Sequence, residues 1–328
     1  MRTIAAAGRC AAGVGRVLLL AAAPSMALAD EGGVSFWISG SYAGFAAVPE
    51  PPGWYLSSQT IYYSADASGH TTLQRGDTLN LGLGTEFGVA FFTPTWVPDT
   101  RVLGGQPSVS LGFGGGWNHT AADVAVATTG PVAVVRASDT VTGGLDLFPQ
   151  AQLAWSRGDH NGMVYIMGDV PTGAYAGNRL SNLGIGHAAL DGGGGYTYFD
   201  ADAGHEASTV LGVTLNGVNG TTHYRNGVDA HLDAEASQFI TERWQAGVVG
   251  YLYRQLSADS GRGDSVGPFE SRAAAAGAEL GYAFSAGGRT WYANVRGYWE
   301  FAARYRVAGH VVYATLDMPL TGRGSLPR

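Results

Sequence analysis

Residues 229–255, DAHLDAEASQFITERWQAGVVGYLYRQ, hold two runs of alternating character joined by a tight turn. In the first run Ala230, Leu232, Ala234, Ala236 and Ile240 alternate with His231, Asp233, Glu235, Ser237 and Thr241. Successive side chains of a strand point to opposite faces, so this run has one apolar face and one charged face. The chain turns at Glu242 and Arg243. Trp244, Ala246, Val248, Gly250 and Leu252 then share a face, and Gln245, Val249, Tyr251, Tyr253 and Gln255 share the other. Two architectures fit such a hairpin. A soluble sandwich buries the apolar face in its core; an outer-membrane barrel turns it to lipid and lines a lumen with the polar face.

The amino terminus separates the two. Arg2, Arg9 and Arg16 form a basic region, residues 17–23 a short apolar run, and Ala27-Leu28-Ala29 an A-x-A cleavage site. Residues 1–29 therefore read as a secretory signal peptide, with the mature chain expected to begin at Asp30. Cys10, the one cysteine, leaves with it, so no disulfide or thiol chemistry is expected in the mature protein. No stretch approaches the ~20 apolar residues of a spanning helix. All 19 basic residues are arginines and the formal charge is −7; an acidic chain without basic runs is a poor partner for nucleic acid. A charged fraction of 14%, with 51 glycines and 11% aromatics, suits an all-β, antiparallel transmembrane barrel of the outer membrane, where aromatics form girdles at both interfaces.

About twelve strands are expected between residues 54 and 320, since a membrane strand needs ~9–11 residues. In 77–96, Leu79, Leu81, Leu83, Phe87, Val89 and Phe91 share one face, which is assigned to lipid. The run 139–156 reads as a single strand. In 290–304, Trp291, Val295, Trp299 and Phe301 are assigned to lipid, and Tyr292, Asn294, Arg296, Tyr298, Glu300 and Arg304 to the lumen. Tight connections near 157–160, 203–204, 241–243 and 286–289 alternate with long ones at 66–76, 123–138, 172–193, 217–227 and 258–268. That sorting of short turns to one end is a barrel's, not a sandwich's.

The chain also resembles the outer-membrane family named after the meta-pathway of phenol degradation. The resemblance rests on Ser35-Phe36-Trp37, Ala46-Ala47-Val48-Pro49, Pro171-Thr172-Gly173-Ala174-Tyr175, Asn182-Leu183-Gly184, Thr222-His223-Tyr224-Arg225-Asn226-Gly227, His231-Leu232-Asp233 and residues 247–255. It implies a barrel in the outer membrane of a Gram-negative bacterium, passing hydrophobic, often aromatic, compounds. The polar tail 321–328 departs from the aromatic ending usual in barrels.

Motifs for other chemistry are weak. Gly263-Asp264-Ser265-Val266-Gly267 matches G-x-S-x-G but lacks the strand-then-helix setting of a nucleophile elbow. Gly184-Ile185-Gly186-His187-Ala188-Ala189 lacks the βαβ unit of a dinucleotide site. His231, Asp233 and Glu235 share a face and could serve a metal or a hydrolase; the simpler reading is a lumen wall paired with Arg296 or Arg304. Tyr251, Tyr253, Tyr292 and Tyr298 either pack a narrow barrel or form an aromatic slide for apolar solutes. No catalytic residue, metal or cofactor is assigned. Expected partners are outer-membrane lipid, small hydrophobic solutes and the barrel-assembly machinery.

The segment 30–53 carries Phe36, Trp37, Tyr42 and Phe45 ahead of the first strand and ends in Pro49-Glu50-Pro51-Pro52-Gly53. Burying that apolar surface is worth ~25 cal/mol per Å². A short helix or compact coil at 35–48, folded back as a plug in the periplasmic half of the lumen, is expected. The leading function is a passive channel for small hydrophobic, chiefly aromatic, molecules; a hydrolase using His231 and lumen carboxylates, or a structural or adhesion barrel, are the alternatives.

Overall fold

The computed structural model describes residues 26–27, 35–75, 78–126, 133–264 and 270–321. Most of the stretch 1–29 read as a signal peptide, Ser265 to Gly267 of the G-x-S-x-G motif, and the tail beyond Thr321 lie outside the described residues. Thirteen principal strands follow in chain order: β1 (Gly53–Arg75), β2 (Thr78–Val97), β3 (Gln106–Val126), β4 (Ala133–Gly144), β5 (Phe148–Arg157), β6 (His160–Asp169), β7 (Ala189–Asp200), β8 (His205–Asn216), β9 (Asp229–Phe239), β10 (Trp244–Gln255), β11 (Arg272–Ala286), β12 (Arg289–Arg304) and β13 (Ala308–Pro319). Each pairs antiparallel with its neighbours, and β13 pairs with β1, which closes the ring. Closure leaves no unpaired edge, as a hydrocarbon environment requires.

The barrel has twelve staves because β4 and β5 form one. Both pair with β3, β4 against its outer part and β5 against its start. The run read as one strand over 139–156 is thus broken at 145–147, where Leu147 instead bridges Val170. At the periplasmic end, Gly287 and Gly288 connect β11 to β12 with φ of 58° and 74°. Two consecutive positive φ angles are the type I′ geometry whose twist matches the flanking strands. At the other end β1, β2 and β3 run for 23, 20 and 21 residues, well beyond membrane need. The stretch 66–76, expected as a loop, is therefore largely strand.

The outer surface locates the membrane. Trp54 and Trp96 stack at 6.4 Å, and the tilted pairs Trp244–Tyr282 and Phe284–Trp291 lie 4.5 and 6.0 Å apart, all toward the tight-turn end. Aromatics at that height form the inner girdle. Toward the other end, His310, Ser64, Glu86, His119 and Thr140 lie directly opposite one another across five successive strands. Tyr62 donates to Glu86, and His119 pairs with Thr140 at 2.8 Å. This polar row marks the outer interface. Between the two bands Val248, Leu252, Leu280 and Val295 are exposed to lipid. The fold is that of an outer-membrane β-barrel.

One face assignment is reversed. Leu83 and Val89 are buried, and Phe87 and Phe91 pack with them against Ile61, Tyr63, Val311 and Tyr313 inside the barrel. The lipid side of β2 carries Ala90, Phe92 and Trp96 instead, with Phe92 and Trp96 exposed. The lumen is apolar on this side, so apolar character alone does not identify the lipid face. The side chains of Leu79 and Leu81 lie outside the described residues.

Ala90, between Glu86 and Trp96, and Val295, between Trp291 and Trp299, sit near mid-membrane on the lipid side. Arginine there costs roughly 2–4 kcal/mol. Ala90→Arg and Val295→Arg are expected to reduce the folded, heat-modifiable band on gels, and Asn294→Arg, facing the lumen, to spare it. Normal assembly of Ala90→Arg would show that β2 is assigned to the wrong face.

Candidate functional site

The polar face of β9 points into the lumen, as its alternation requires, and the segment 35–52 lies against it. That segment is coil and turn, with no helix. Its backbone amides need acceptors once removed from water, and the wall supplies carboxylates. Gly40 N donates to Asp233 Oδ1 at 2.9 Å and Tyr42 N to Oδ2 at 3.3 Å. Gly44 N donates to Glu235 Oε2 at 2.6 Å, Phe45 N to Glu206 Oε1 at 3.1 Å, and Ala47 N to Thr197 Oγ1 at 3.1 Å. Carbonyls of the same segment accept from the wall: Tyr313 Oη donates to Ser39 O at 2.6 Å, Tyr298 Oη to Gly40 O at 3.4 Å, and Arg296 Nη2 to Ser41 O at 3.4 Å.

Trp37 stacks on His231 with ring centroids 3.6 Å apart. His231 Nε2 lies 3.1 Å from Asp191 Oδ2, and Asp191 accepts from Tyr165 Oη at 2.7 Å and from Thr214 Oγ1 at 2.6 Å. Gly212 opens the space for this group: a Cβ there would overlap Tyr165 Oη and His231 Nε2. Among the described residues no three His, Cys, Asp or Glu side chains are arranged to hold a metal. Tyr42 is also enclosed, with Gln150 Nε2 donating to its hydroxyl at 2.5 Å. Burial raises the pKa of that hydroxyl, which keeps it protonated. Phe45 packs edge-on to Phe199 at 5.2 Å and to Tyr292 at 6.2 Å. Phe36 lies 6.0 Å from Phe148.

The extracellular side is narrowed by the connection 170–188, which folds inward. Asp146, in the break between β4 and β5, accepts from Gly173 N at 2.6 Å and Ile185 N at 2.9 Å. Arg179 pairs with Asp139 at 3.0 Å. Asn118 Nδ2 donates to Asn182 O at 2.8 Å, and Leu180 and Leu183 pack against the apolar lumen cluster. The strand break therefore supplies the anchor for the inward connection.

Most lumen residues expected from the sequence are where alternation puts them: His231, Asp233, Glu235, Tyr251, Tyr253, Arg296, Tyr298 and Glu300 are all buried. Tyr292 donates to Gln245 and, at 3.3 Å, to Glu279. Arg304 is the exception. Its register slips at a bulge opposite Arg272 and Ala274, and Ala302 takes a φ of 54°. Arg304 ends on the exposed surface, its guanidinium 4.6 Å from the Tyr305 ring centroid. Tyr305 has a φ of 56°, and Arg306 turns into the lumen in its place, 4.7 Å from the Tyr253 ring centroid. Arg306, Asp191, Glu206 and Glu279 escaped the sequence reading. The last three sit in strands at alternating polar positions and were within its reach.

Three cavities run alongside the segment. The upper one, about 140 Å³, is lined by Trp37, Ile38, Phe87, Phe91, Tyr251 and Arg306 among others. The middle one, about 270 Å³, shares Trp37, Ile38 and Phe91 with it. The lower one, about 360 Å³, shares Ser41, Tyr42, Ser57 and Gln59 with the middle one and reaches Glu50 and Pro319 at the tight-turn end.

A protein family described as "Putative MetA-pathway of phenol degradation" matches residues 64–316. The comparison with curated protein sequences returns no match. The crystal structure of the COG4313 outer membrane channel from Pseudomonas putida F1 superposes with a TM-score of 0.64 at 11% identity, over 85% of this chain and 99% of that one. Looser likenesses are the translocator domain of autotransporter NalP from Neisseria meningitidis (TM-score 0.40, 10% identity, 84% and 91% covered) and a Pseudomonas aeruginosa FadL homologue (0.36, 12%, 90% and 100%). At these identities the likeness concerns the fold.

Hydrogen bonds to charged acceptors contribute roughly 1.5–3 kcal/mol each, so Asp233 and Glu235 should dominate the docking of the segment. In a folded Asp233→Ala/Glu235→Ala barrel, residues 35–52 are expected to become cleavable by added protease. Resistance equal to that of the unaltered protein would show that these carboxylates do not hold the segment.

Proposed function

The chain belongs to the MetA-pathway of phenol degradation family, and from that membership and its lumen we propose that it is a passive outer-membrane channel for small, mainly apolar aromatic molecules. The observation that carries this reading is the series of three cavities, linked by shared residues, that passes the amino-terminal segment. The segment's amides bind the wall of β7 to β9 and its carbonyls take bonds from β12 and β13, while the passage follows the side of β1 and β2. A solute that leaves water at the extracellular end meets Leu83, Phe87, Val89 and Phe91 first, which favours an apolar molecule by the area it buries. Farther down, Gln59, Thr95, Asn294 and Thr315 line the way out to the periplasm. No nucleotide-binding motif was found in the sequence, and diffusion down a gradient is the driving force proposed.

In this reading residues 35–52 act as a plug that sets the bore. A hydrolase built on His231 gains no support from the geometry, because Trp37 covers the imidazole ring.

Two outcomes are expected. A strain lacking the gene should take up labelled toluene slowly at low concentration and regain uptake when the gene is restored; uptake that does not change across a panel of aromatics would end the channel reading. Deleting residues 35–49 while keeping the signal sequence should raise single-channel conductance in planar bilayers. A truncated protein that inserts normally but conducts no better would show that the segment does not limit flow.

A further inference from the structure

The upper cavity holds a feature that an apolar solute does not need. Arg306 lines it, yet Nε and Nη1 of its guanidinium are buried and have no hydrogen-bond partner. Nη2 faces Glu300 Oε1 at 3.9 Å, beyond hydrogen-bond length. Glu300 is already served by neutral donors: Tyr251 Oη at 2.6 Å, Tyr63 Oη at 2.8 Å and Gly309 N at 3.0 Å. A buried guanidinium with idle donors is costly. The backbone around it is strained as well, with Ala302 and Tyr305 both in the left-handed region. Alanine and tyrosine adopt that region at a cost, and such strain gathers at ligand sites. Both features bring one cation, beside the hydrogen-bonded carboxylate of Glu300, to an otherwise largely apolar chamber.

The size and lining of the chamber narrow the ligand. Its volume of about 140 Å³ is close to the roughly 150 Å³ of an apolar cavity that binds benzene. Leu83, Phe87, Val89, Phe91, Leu145 and Val311 form its apolar wall. A planar guanidinium recognises a carboxylate through two parallel hydrogen bonds. We propose that the upper chamber is a binding site for a one-ring aromatic carboxylate of the benzoate type, its ring against the apolar wall and its carboxylate on Arg306. The inference rests on the channel reading and gives its solute class a charged handle: ionised aromatic acids enter, not hydrocarbons alone. Glu300 holds Arg306 in place and, fully hydrogen-bonded itself, leaves the guanidinium donors to the ligand.

The test is binding to the full-length refolded protein in detergent, read by the fluorescence of the tryptophans, of which Trp37 lines the chamber. Benzoate, benzamide and toluene are titrated at neutral pH into the unaltered protein, Arg306→Gln and Arg306→Lys. The expected result is that benzoate binds more tightly than benzamide. Arg306→Gln should weaken benzoate about tenfold or more, as loss of a charge-assisted hydrogen bond implies, with Arg306→Lys intermediate and toluene unchanged in both. Benzamide binding as tightly as benzoate to the unaltered protein overturns the proposal, even if Arg306→Gln fails to fold. So does benzoate binding that ignores Arg306→Gln. Toluene binding and permeation without any preference for benzoate would sink this inference and leave the channel standing; absence of binding and permeation for all three compounds would sink both.

Discussion

Every backbone amide enclosed by this barrel has to find an acceptor, and the carboxylates of β8 and β9 supply them. Asp233, Glu235 and Glu206 accept from four amides of the amino-terminal segment. A carboxylate in a narrow lumen would be costly on its own, and a coil whose own backbone bonds, such as Ser41 N to Ile38 O and Val48 N to Phe45 O, leave other amides unpaired would be equally so. Each resolves the problem of the other. The acidic face of the barrel and the irregular segment are therefore one structural unit, and the ring stack of Trp37 on His231 extends it toward the outer half.

The carboxylates that hold the segment stand on β8 and β9, and the cavities that the proposed passage would use lie toward β1 and β2. The wall of β1 and β2 turns Ile61, Leu83 and Val89 inward, and the three cavities follow that wall. Two departures from regular strand geometry shape the upper end of the route. The break at 145–147 exposes Asp146 as an anchor for the inward connection, and the bulge and left-handed residues at 302–305 swing Arg306 inside. The second raises local backbone cost at the level where the chamber lies, which is where a selective step in the proposed permeation would be placed.

The hairpin 229–255 was readable because its two faces differ in charge, and charge is excluded from lipid. β12 was readable for the same reason up to Glu300. β2 was not, since Leu83, Phe87, Val89 and Phe91 alternate with glycines, Ala90 and Glu86, a face that reads as a lumen by its one charge although Glu86 sits in the outer polar row. Arg304 was misplaced because alternation is counted through a strand and one bulge shifts the count. Asp191 was lost because 172–193 reads as a loop, although residues 189–193 belong to β7.

By itself the sequence determined the barrel, the sorting of its turns, and an acidic lumen face, because period-two alternation and turn chemistry are local and need no knowledge of the partner strand. Only the tertiary structure decided which apolar face meets lipid, where the segment 35–52 docks, and that Arg306 stands in the chamber. Those depend on closure of β13 on β1 and on contacts between residues such as Gly40 and Asp233, 193 positions apart, and no local pattern encodes such a pairing.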